Sequence, residues 1–264
     1  GFVPAEEIVT HRIIWSCLFL ILLVWWTKTG RQVLDVFHHP RYLALLMLTA
    51  VLIAGNWLLF IWAINHDHML ESSLGYFINP LLNILLGMLF LGETLRRWQW
   101  LAVALAVSGV MLQIITLGVF PWIALSLASS FAVYGLIRKK IAVDSLTGLL
   151  VETVMLTPLA AWYLFFHADT ATSHLSQNPL ALNLWLLAAG IITTVPLLCF
   201  TAGAKRLRLS TIGFFQYLGP SLMFIFAITL YHEPIVWQKW LTFALIWSAL
   251  GLFSWDALRH NRQN

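Results

Sequence analysis

Long runs of apolar residues alternate with short polar gaps along the whole chain. Each run holds about 17 to 23 residues, enough at a helical rise of about 1.5 Å per residue to cross a hydrocarbon core of about 30 Å. Backbone groups in lipid must be satisfied within each segment, so the runs are predicted to be transmembrane helices. The nine predicted spans cover residues 8–27, 42–64, 71–91, 98–117, 121–137, 146–167, 182–203, 211–231 and 237–256.

Basic residues fall in every second gap between these runs. Of the 15 Lys and Arg residues, all but Arg12 and Lys239 follow this alternation. Lys and Arg are retained on the cytoplasmic side during insertion, so these gaps and the C-terminus are predicted to be cytoplasmic. The residues that define the cytoplasmic side are Lys28, Arg31, Arg41, Arg96, Arg97, Arg138, Lys139, Lys140, Lys205, Arg206, Arg208, Arg259 and Arg262.

Composition supports membrane lipids as the surroundings of this chain. Apolar residues make up 60% of the 264 residues and charged residues only 10%, too apolar a balance for a water-soluble globule. The net charge of +4 is spread over short loops without an aromatic and basic cluster, so nucleic-acid binding is not expected. Cys17 and Cys199 lie within apolar runs, the histidines lack metal-ligand spacing, and no cofactor is implied.

An internal repeat underlies the hydropathy pattern. One constant shift along the sequence superimposes Pro80 on Pro220, Glu93 on Glu233 and Trp100 on Trp240. The charge alternation assigns the gap around Glu93 to the cytoplasm and the gap around Glu233 to the outside, so the two copies are predicted to be inverted. Many secondary transporters are built from inverted repeats, with a substrate site near the membrane midplane between them.

The predicted domain organisation follows from this repeat. Residues 1–264 are expected to form a single all-α membrane domain, with a first repeat over 1–117 and a second, inverted repeat over 118–264. Inversion requires an odd number of spans in each half, yet the first half has four and the second has five. One further helix is therefore expected before Gly1, which predicts a ten-helix parent protein of two inverted five-helix repeats.

The register of the repeat changes just before its prolines. Upstream of Pro80 the matching shift is shorter by two, pairing Gly75 with Gly213 and Phe77 with Phe215, so the second copy holds two extra residues before Pro220. Two residues turn a helix by about 200°. A local bulge or kink is therefore predicted near Gln216, Tyr217 and the glycine that follows them.

Four polar and aromatic segments carry a resemblance to a known family. They are EEIVTHR at residues 6–12, GNWLLFIWA at 55–63, LGYFINPL at 74–81 and GFFQY at 213–217. With the two Pro-containing spans, they resemble the EamA family of the drug/metabolite transporter superfamily, and within it the RarD-type permeases, over essentially the whole chain. The resemblance implies ten helices in the bacterial inner membrane, both termini cytoplasmic, a central cavity lined from both halves and export of small metabolites or drugs.

Polar side chains inside lipid are costly and usually face the bundle interior, a partner or a water-filled cavity. In the third span Ser72, Tyr76, Asn79 and Asn83 recur at helical spacing and share one face. Ser72 and Asn83 are expected to form interhelical hydrogen bonds. Tyr76 and Asn79 lie next to Pro80, where backbone carbonyls are freed, and are expected to line a cavity.

A second set of polar residues recurs in the two halves. Asn56, with its neighbour Trp57, matches Thr194 under the shorter, upstream shift, so both halves carry a hydrogen-bonding group at one depth. These groups are interpreted either as flanks of one site or as buried polar packing. Aromatic rings beside amides suit an amphiphilic cargo with a planar group. The predicted substrate-binding residues are Asn56, Trp57, Tyr76, Asn79, Tyr134, Thr194, Gln216 and Tyr217.

Two charged residues within spans are candidates for ion coupling. Glu152 is a lone carboxylate well inside a span, which costs about 3 kcal/mol if charged, so it is expected to be protonated, paired or solvated. It is either the proton-coupling group of an antiporter or a structural hydrogen-bond acceptor. Arg12 either forms a salt bridge to a nearby glutamate or captures an anionic cargo group. Glu93 and Glu233 lie in turns and are expected to cap or bridge helices.

These patterns predict a secondary transporter, a permease or exporter of small metabolites or amphiphilic drugs. It would work by alternating access around a cavity between the two repeats, with proton coupling as a further hypothesis. The sequence contains no nucleotide-hydrolysis loop. The alternatives are an intramembrane enzyme acting on lipid or peptide, which needs a nucleophile and base or a metal set that the sequence lacks, and a passive channel, which needs a continuous polar stripe. An enzyme is therefore not predicted.

Overall fold

The computed structural model describes residues 3–168, 170, 172–174, 176–230 and 237–261, and all regular secondary structure in these ranges is helical. The predicted all-α membrane fold is confirmed. The helices are α1 (Ala5–Thr27), α2 (Gly30–Phe37), α3 (Pro40–Asn65), α4 (Met69–Leu91), α5 (Arg97–Leu117), α6 (Trp122–Lys140), α7 (Ser145–Phe166), α8 (Leu180–Arg206), α9 (Leu209–Gln216), α10 (Leu218–Thr229) and α11 (Trp237–Asn261).

Eight stretches of the described helices are long and apolar enough to cross a membrane. They match eight of the nine predicted spans with small changes at the ends, and the stretch Leu209–Phe226 combines α9 with most of α10. The remaining predicted span forms α6, a helix of 19 residues. Its last three residues, Arg138, Lys139 and Lys140, are basic and lower the hydropathy of that end of the helix.

Contacts between residues divide the chain into two compact units. Unit 1 comprises Gly1–His66 and Ile137–Arg206, and unit 2 comprises Asp67–Leu136 and Leu207–Asn264. Each unit therefore combines helices from both halves of the sequence. The two segments of unit 2 begin at Asp67 and Leu207, which are related by the same shift that superimposes Pro80 on Pro220. The inverted orientation of the two repeats remains a prediction.

Close contact between α1 and α8 in unit 1 depends on a glycine. A Cβ atom at Gly190 would lie 2.5 Å from the Cβ of Trp15 and 2.6 Å from the Trp15 carbonyl carbon. In the same place, the Ser16 hydroxyl donates a hydrogen bond of 3.1 Å to the Gly190 carbonyl. Small residues let membrane helices approach in this way, so position 190 sets the spacing of the two backbones.

The short helix α2 of unit 1 lies in a gap that the hydropathy pattern treats as a polar connection. Its Val36 is buried in a cluster with Leu46 and Val151, whereas Leu34 and Phe37 are exposed. Val36, together with the partly buried Val33, thus attaches α2 to α3 and α7. An isolated helix of eight residues is marginal in water, so this tertiary contact stabilises it.

In unit 2, α5 packs along α11 and α4 packs against α9. Arg96 at the start of α5 and Asp256 near the end of α11 form an ion pair, with 2.5 Å between Nη2 and Oδ2. Gly213 brings α9 close to α4, because a Cβ atom there would lie 2.6 Å from the Pro80 carbonyl oxygen. Pro80 itself lies inside α4, which is assigned as one helix from Met69 to Leu91.

The predicted irregular turn is confirmed in unit 2. The helix α9 ends at Gln216, and α10 begins at Leu218 after the intervening Tyr217. The Tyr217 backbone N–H bonds to the Phe214 carbonyl, three residues back instead of four. The helical run is therefore interrupted at the point where the sequence repeat loses its register.

Glu93 caps the start of α9. Its Oε1 accepts a hydrogen bond of 2.6 Å from the Leu209 N–H, and its Oε2 accepts bonds from the Ser210 N–H at 2.9 Å and the Ser210 hydroxyl at 2.7 Å. A carboxylate at a helix N-terminus satisfies donors that lack partners within the helix. The predicted capping role is confirmed for Glu93, whereas Glu233 lies outside the described residues.

Candidate functional site

A cluster of amide side chains lies between α4 and α9 in unit 2. The Asn83 Nδ2 atom donates to Gln216 Oε1 at 2.6 Å and, at 3.4 Å, to Asn79 Oδ1. Asn79 and Asn83 are buried, and Asn83 Oδ1 has no hydrogen-bond partner among the described residues. The predicted interhelical bond is confirmed for Asn83 and is wrong for Ser72, whose hydroxyl donates to the His68 carbonyl at the start of its own helix.

Two predicted tyrosines lie in the interior of unit 2. Tyr217 is fully buried, and its hydroxyl donates a hydrogen bond of 3.2 Å to the Phe77 carbonyl. Tyr134 on α6 is also fully buried, with its ring centroid 6.0 Å from that of Phe131. Neither side chain exposes surface in this conformation, so a direct contact with cargo stays a prediction for both.

A pocket of about 530 Å³ lies between α4, α5, α10 and α11 of unit 2. Its apolar lining includes Phe77, Phe224 and Phe243. The ring of Phe243 stacks on that of Phe224 at 3.8 Å and meets that of Phe77 at 5.6 Å in an edge-on arrangement. Tyr76 is the one sequence-predicted site residue that lines this pocket. The polar residues of the lining are Ser73, Tyr76, Gln113, Thr116, Gln238 and Lys239.

Glu152 lies in the interior of unit 1, on α7, with 1% of its surface exposed. Its Oε1 accepts a hydrogen bond of 2.7 Å from the Thr49 hydroxyl on α3. The Nε atom of Arg138 lies 3.5 Å from the same oxygen, an ion-pair distance at which Nε makes no hydrogen bond. Glu152 is thus paired, one of the three states that the sequence predicts.

Arg138 is fully buried, although the sequence pattern assigns it to a cytoplasmic gap. Its Nη2 donates a hydrogen bond of 3.0 Å to the Ser145 carbonyl. Gly148 leaves the space that the guanidinium occupies, because a Cβ atom there would overlap with Nη1. A buried guanidinium needs a counter-charge, and Glu152 is the one carboxylate well inside the neighbouring span. The presence of Glu152 in that span is the signal from which the burial of Arg138 could have been inferred.

The remaining predicted residues lie in unit 1. Asn56 and Trp57 are half-buried on α3, where Trp57 packs against an apolar cluster that contains Ile13. Thr194 on α8 is buried, and its hydroxyl has no hydrogen-bond partner among the described residues, so it does not bond Asn56 here. Arg12 is half-buried on α1. Their predicted roles stay predictions.

The fold is that of a multi-pass helical membrane protein, and comparison with known proteins places it in the transporter class. Residues 1–115 match the EamA-like transporter family. The protein RarD of Salmonella typhi is 61% identical over 262 residues, which cover 99% of this chain and 89% of that protein. The chain belongs to the EamA-like transporter family and is a RarD-type permease, so the resemblance seen in its sequence is confirmed.

Two further comparisons agree with this assignment. A Vibrio cholerae protein named an uncharacterized transporter is 56% identical over 259 residues, covering 98% of this chain and 86% of that protein. A protein of known crystal structure superposes with a TM-score of 0.71 and 19% identity, covering 96% of this chain and 88% of the other, and supports the fold. The family and the names of these relatives indicate a permease and not an enzyme.

Proposed function

We propose that the protein is a secondary transporter that moves small metabolites or amphiphilic drugs across the bacterial inner membrane by alternating access. Membership of a transporter family supports the transport role. The observation that carries the cargo assignment is the pocket of unit 2. Two of its walls, α4 and α5, come from the first half of the sequence, and two, α10 and α11, come from the second. Its aromatic wall, with six polar residues elsewhere in the lining, suits an amphiphile.

The amide cluster supplies further polar contacts beside the pocket, whose own lining holds Tyr76 but neither Asn79 nor Gln216. Tyr76 and Asn79 contact the cargo from α4, and Gln216 does so from the end of α9. The unpartnered Oδ1 of Asn83 supports this assignment, because a buried acceptor without a donor would gain a hydrogen bond from a cargo N–H or O–H. The interruption at Tyr217 supports a conformational step, since broken helices surround the substrate sites of many transporters.

The other predicted substrate-binding residues are also included in the proposal. Two of them lie in unit 2 and three in unit 1. Tyr134 and Tyr217 become cargo contacts in a state that opens the interior of unit 2. Asn56, Trp57 and Thr194 are proposed cargo contacts within unit 1. The buried, unpartnered hydroxyl of Thr194 supports its inclusion, because that hydroxyl gains a partner when a polar ligand binds.

Proton coupling through Glu152 is part of the proposal. The carboxylate is buried beside Arg138, so its protonation would remove the negative charge that faces a buried guanidinium. Such a change is costly in a low-dielectric interior, and it favours rearrangement of the helices that hold the pair. Arg12, half-buried on α1, is the second proposed ion-coupling residue.

We further propose that the C-terminus lies in the cytoplasm. The alternation of basic gaps along the sequence supports this orientation. Fusion of a reporter to the C-terminus checks it, because green fluorescent protein fluoresces in the cytoplasm and alkaline phosphatase is active outside it. An active phosphatase fusion with a dark fluorescent fusion would reverse the proposed orientation.

Uptake into inverted membrane vesicles tests the function. A panel of small amphiphiles is offered with and without an imposed proton gradient, and vesicles without the protein serve as the control. Saturable uptake that changes with the gradient supports the transporter. Flux that does not saturate would indicate a channel, and recovery of a chemically altered compound would indicate an enzyme, so either outcome would overturn the proposal.

A further inference from the structure

We propose that the pocket between α4, α5, α10 and α11 binds a carboxylate with an aromatic or alkyl body, the acidic group lying at Lys239 and the apolar body against Phe77, Phe224 and Phe243. This inference rests on the proposed transport function and deepens it, because it names the chemical class of the cargo. It concerns unit 2 alone, where all the lining residues lie.

Lys239 is a cation in an unusual position. It is half-buried in the first turn of α11 and lines the pocket. Among the described residues, no carboxylate lies within ion-pair distance of it. It is also one of the two basic residues outside the cytoplasmic pattern, so the rule that governs insertion does not account for it. A partly desolvated ammonium group gains most from an anionic ligand.

Gln238 adds a second polar group to the same pocket. Its Oε1 is buried and has no hydrogen-bond partner among the described residues. In the present rotamer this oxygen would oppose a carboxylate, so the contact uses the two N–H donors of the same amide, which a half-turn of the group brings to the place of Oε1. A carboxylate accepts several hydrogen bonds at once. It would therefore use the amide donors of Gln238 together with the ammonium of Lys239.

The remainder of the lining has the character of a binding site for a planar or chain-like body. The stacked and edge-on contacts among the three phenylalanines hold their rings as one aromatic wall. The apolar lining is completed by Met69, Leu70, Leu74, Leu117, Pro220 and Met223. The volume of about 530 Å³ lies within the range of about 300 to 1,000 Å³ that is common for small-molecule sites.

A matched pair of probes tests the acidic contact. The purified protein is titrated with 2-naphthoate and with the neutral 2-naphthamide, and both affinities are measured by equilibrium dialysis. The naphthoate is expected to bind at least about tenfold more tightly, which corresponds to about 1.4 kcal/mol for a charge-assisted contact. Equal affinity for the two probes in the unaltered protein would overturn the proposal.

Variants at Lys239 test whether the preference for naphthoate over naphthamide arises from this residue. Lys239→Gln is expected to lower the naphthoate affinity by about tenfold and to leave naphthamide binding unchanged, whereas Lys239→Arg retains the preference for the acid. Retained naphthamide binding shows that a variant is folded. Phe243→Ala is expected to weaken both probes alike. Naphthoate binding that is unaffected by Lys239→Gln would overturn the assignment. If a variant does not fold, the comparison of the two probes in the unaltered protein still tests the proposal.

Transport measurements separate this proposal from the function on which it rests. Naphthoate uptake into proteoliposomes that falls with Lys239→Gln supports both. Lys239-dependent binding without uptake of any probe would overturn the transport function and leave the chemistry of the pocket intact. Uptake of naphthoate that Lys239→Gln does not change would overturn the pocket as the cargo site while leaving the transporter in place.

Discussion

The Nδ2 atom of Asn83 lies 2.6 Å from Oε1 of Gln216, a hydrogen bond that joins α4 to α9 across 133 residues of sequence. Asn83 is fully buried, and Gln216 is the last residue of α9 before the interruption at Tyr217. A side-chain bond at this place fixes the end of α9 against the middle of α4. It therefore holds in position the segment where the helical run of the second repeat is interrupted.

Removal of either partner is expected to destabilise unit 2. Asn83→Ala and Gln216→Ala should each lower the free energy of unfolding, because polar contacts between membrane helices contribute about 0.6 kcal/mol on average and up to about 1.7 kcal/mol. The double variant should lose less than the sum of the two single losses. Chemical unfolding in detergent micelles measures all three. Ser108→Ala, at an exposed position of α5, serves as the neutral control, and strictly additive losses would contradict the contact.

Glu93 is expected to be important for stability in spite of its position in a turn. Glu93→Ala removes the three hydrogen bonds to Leu209 and Ser210 that cap α9, and loss of a cap costs about 0.5 to 2 kcal/mol. Thermal unfolding of the purified variant measures the loss. The exposed Glu6 provides the control, because Glu6→Ala should leave the midpoint unchanged. Equal midpoints for the two variants would contradict the capping role.

Local patterns are what the sequence predicts well. The spans follow from the length of the apolar runs, and the interruption at Tyr217 follows from two extra residues in one copy of the repeat. The helix α2 has no comparable signal. It is only eight residues long, so the apolar face that carries Val33 and Val36 is too short to predict a helix by itself, and its helicity depends on contact with α3 and α7.

Partners on other helices are what the sequence leaves open. Arg138 stands beside two lysines in a basic gap, and its burial requires both the space at Gly148 and the charge of Glu152. Those two residues lie on α7, and the side chain of Arg138 reaches them from the end of α6. The pocket around Lys239 likewise combines four helices from both halves of the chain.

Gly148 is expected to tolerate no side chain. Gly148→Ala would place a Cβ atom where Arg138 Nη1 lies, so the guanidinium must leave its bond to the Ser145 carbonyl and its place beside Glu152. Loss of a buried ion pair costs about 3 to 5 kcal/mol, and unfolding in detergent should show a decrease of that order. Gly55→Ala is the matched control in unit 1, because a Cβ atom there meets nothing within 4 Å. A similar effect of both variants would contradict this packing.

Glu152→Gln separates the structural role of the carboxylate from its proposed role in coupling. Glutamine retains an acceptor for Thr49 but removes the charge that faces Arg138, so the free energy of unfolding should fall by about 3 to 5 kcal/mol. Thr49→Val removes one hydrogen bond to the carboxylate but keeps the ion pair, and should cost less, about 1.5 to 3 kcal/mol. The comparison is made by chemical unfolding, and equal losses would contradict the importance of the charge pair.

The coupling role of Glu152 is tested by transport. If the carboxylate carries the proton, Glu152→Gln proteoliposomes should exchange labelled cargo across the membrane but should no longer respond to an imposed proton gradient. Thr49→Val proteoliposomes, which retain the carboxylate, should respond as the unaltered protein does. A Glu152→Gln protein with unchanged dependence of uptake on the gradient would exclude this residue as the coupling group.

Replacement of Thr194 distinguishes a role in buried packing from a role in contact with cargo. Its hydroxyl is buried without a hydrogen-bond partner among the described residues, so Thr194→Val, which keeps the shape, should leave the free energy of unfolding unchanged or raise it. If the hydroxyl binds cargo in the transport cycle, the same variant should raise the cargo concentration needed for half-maximal uptake by about tenfold, the loss expected for one polar contact. Unfolding and uptake are measured on the same preparation. A stable variant with unaltered uptake would assign Thr194 to packing alone and remove it from the proposed site.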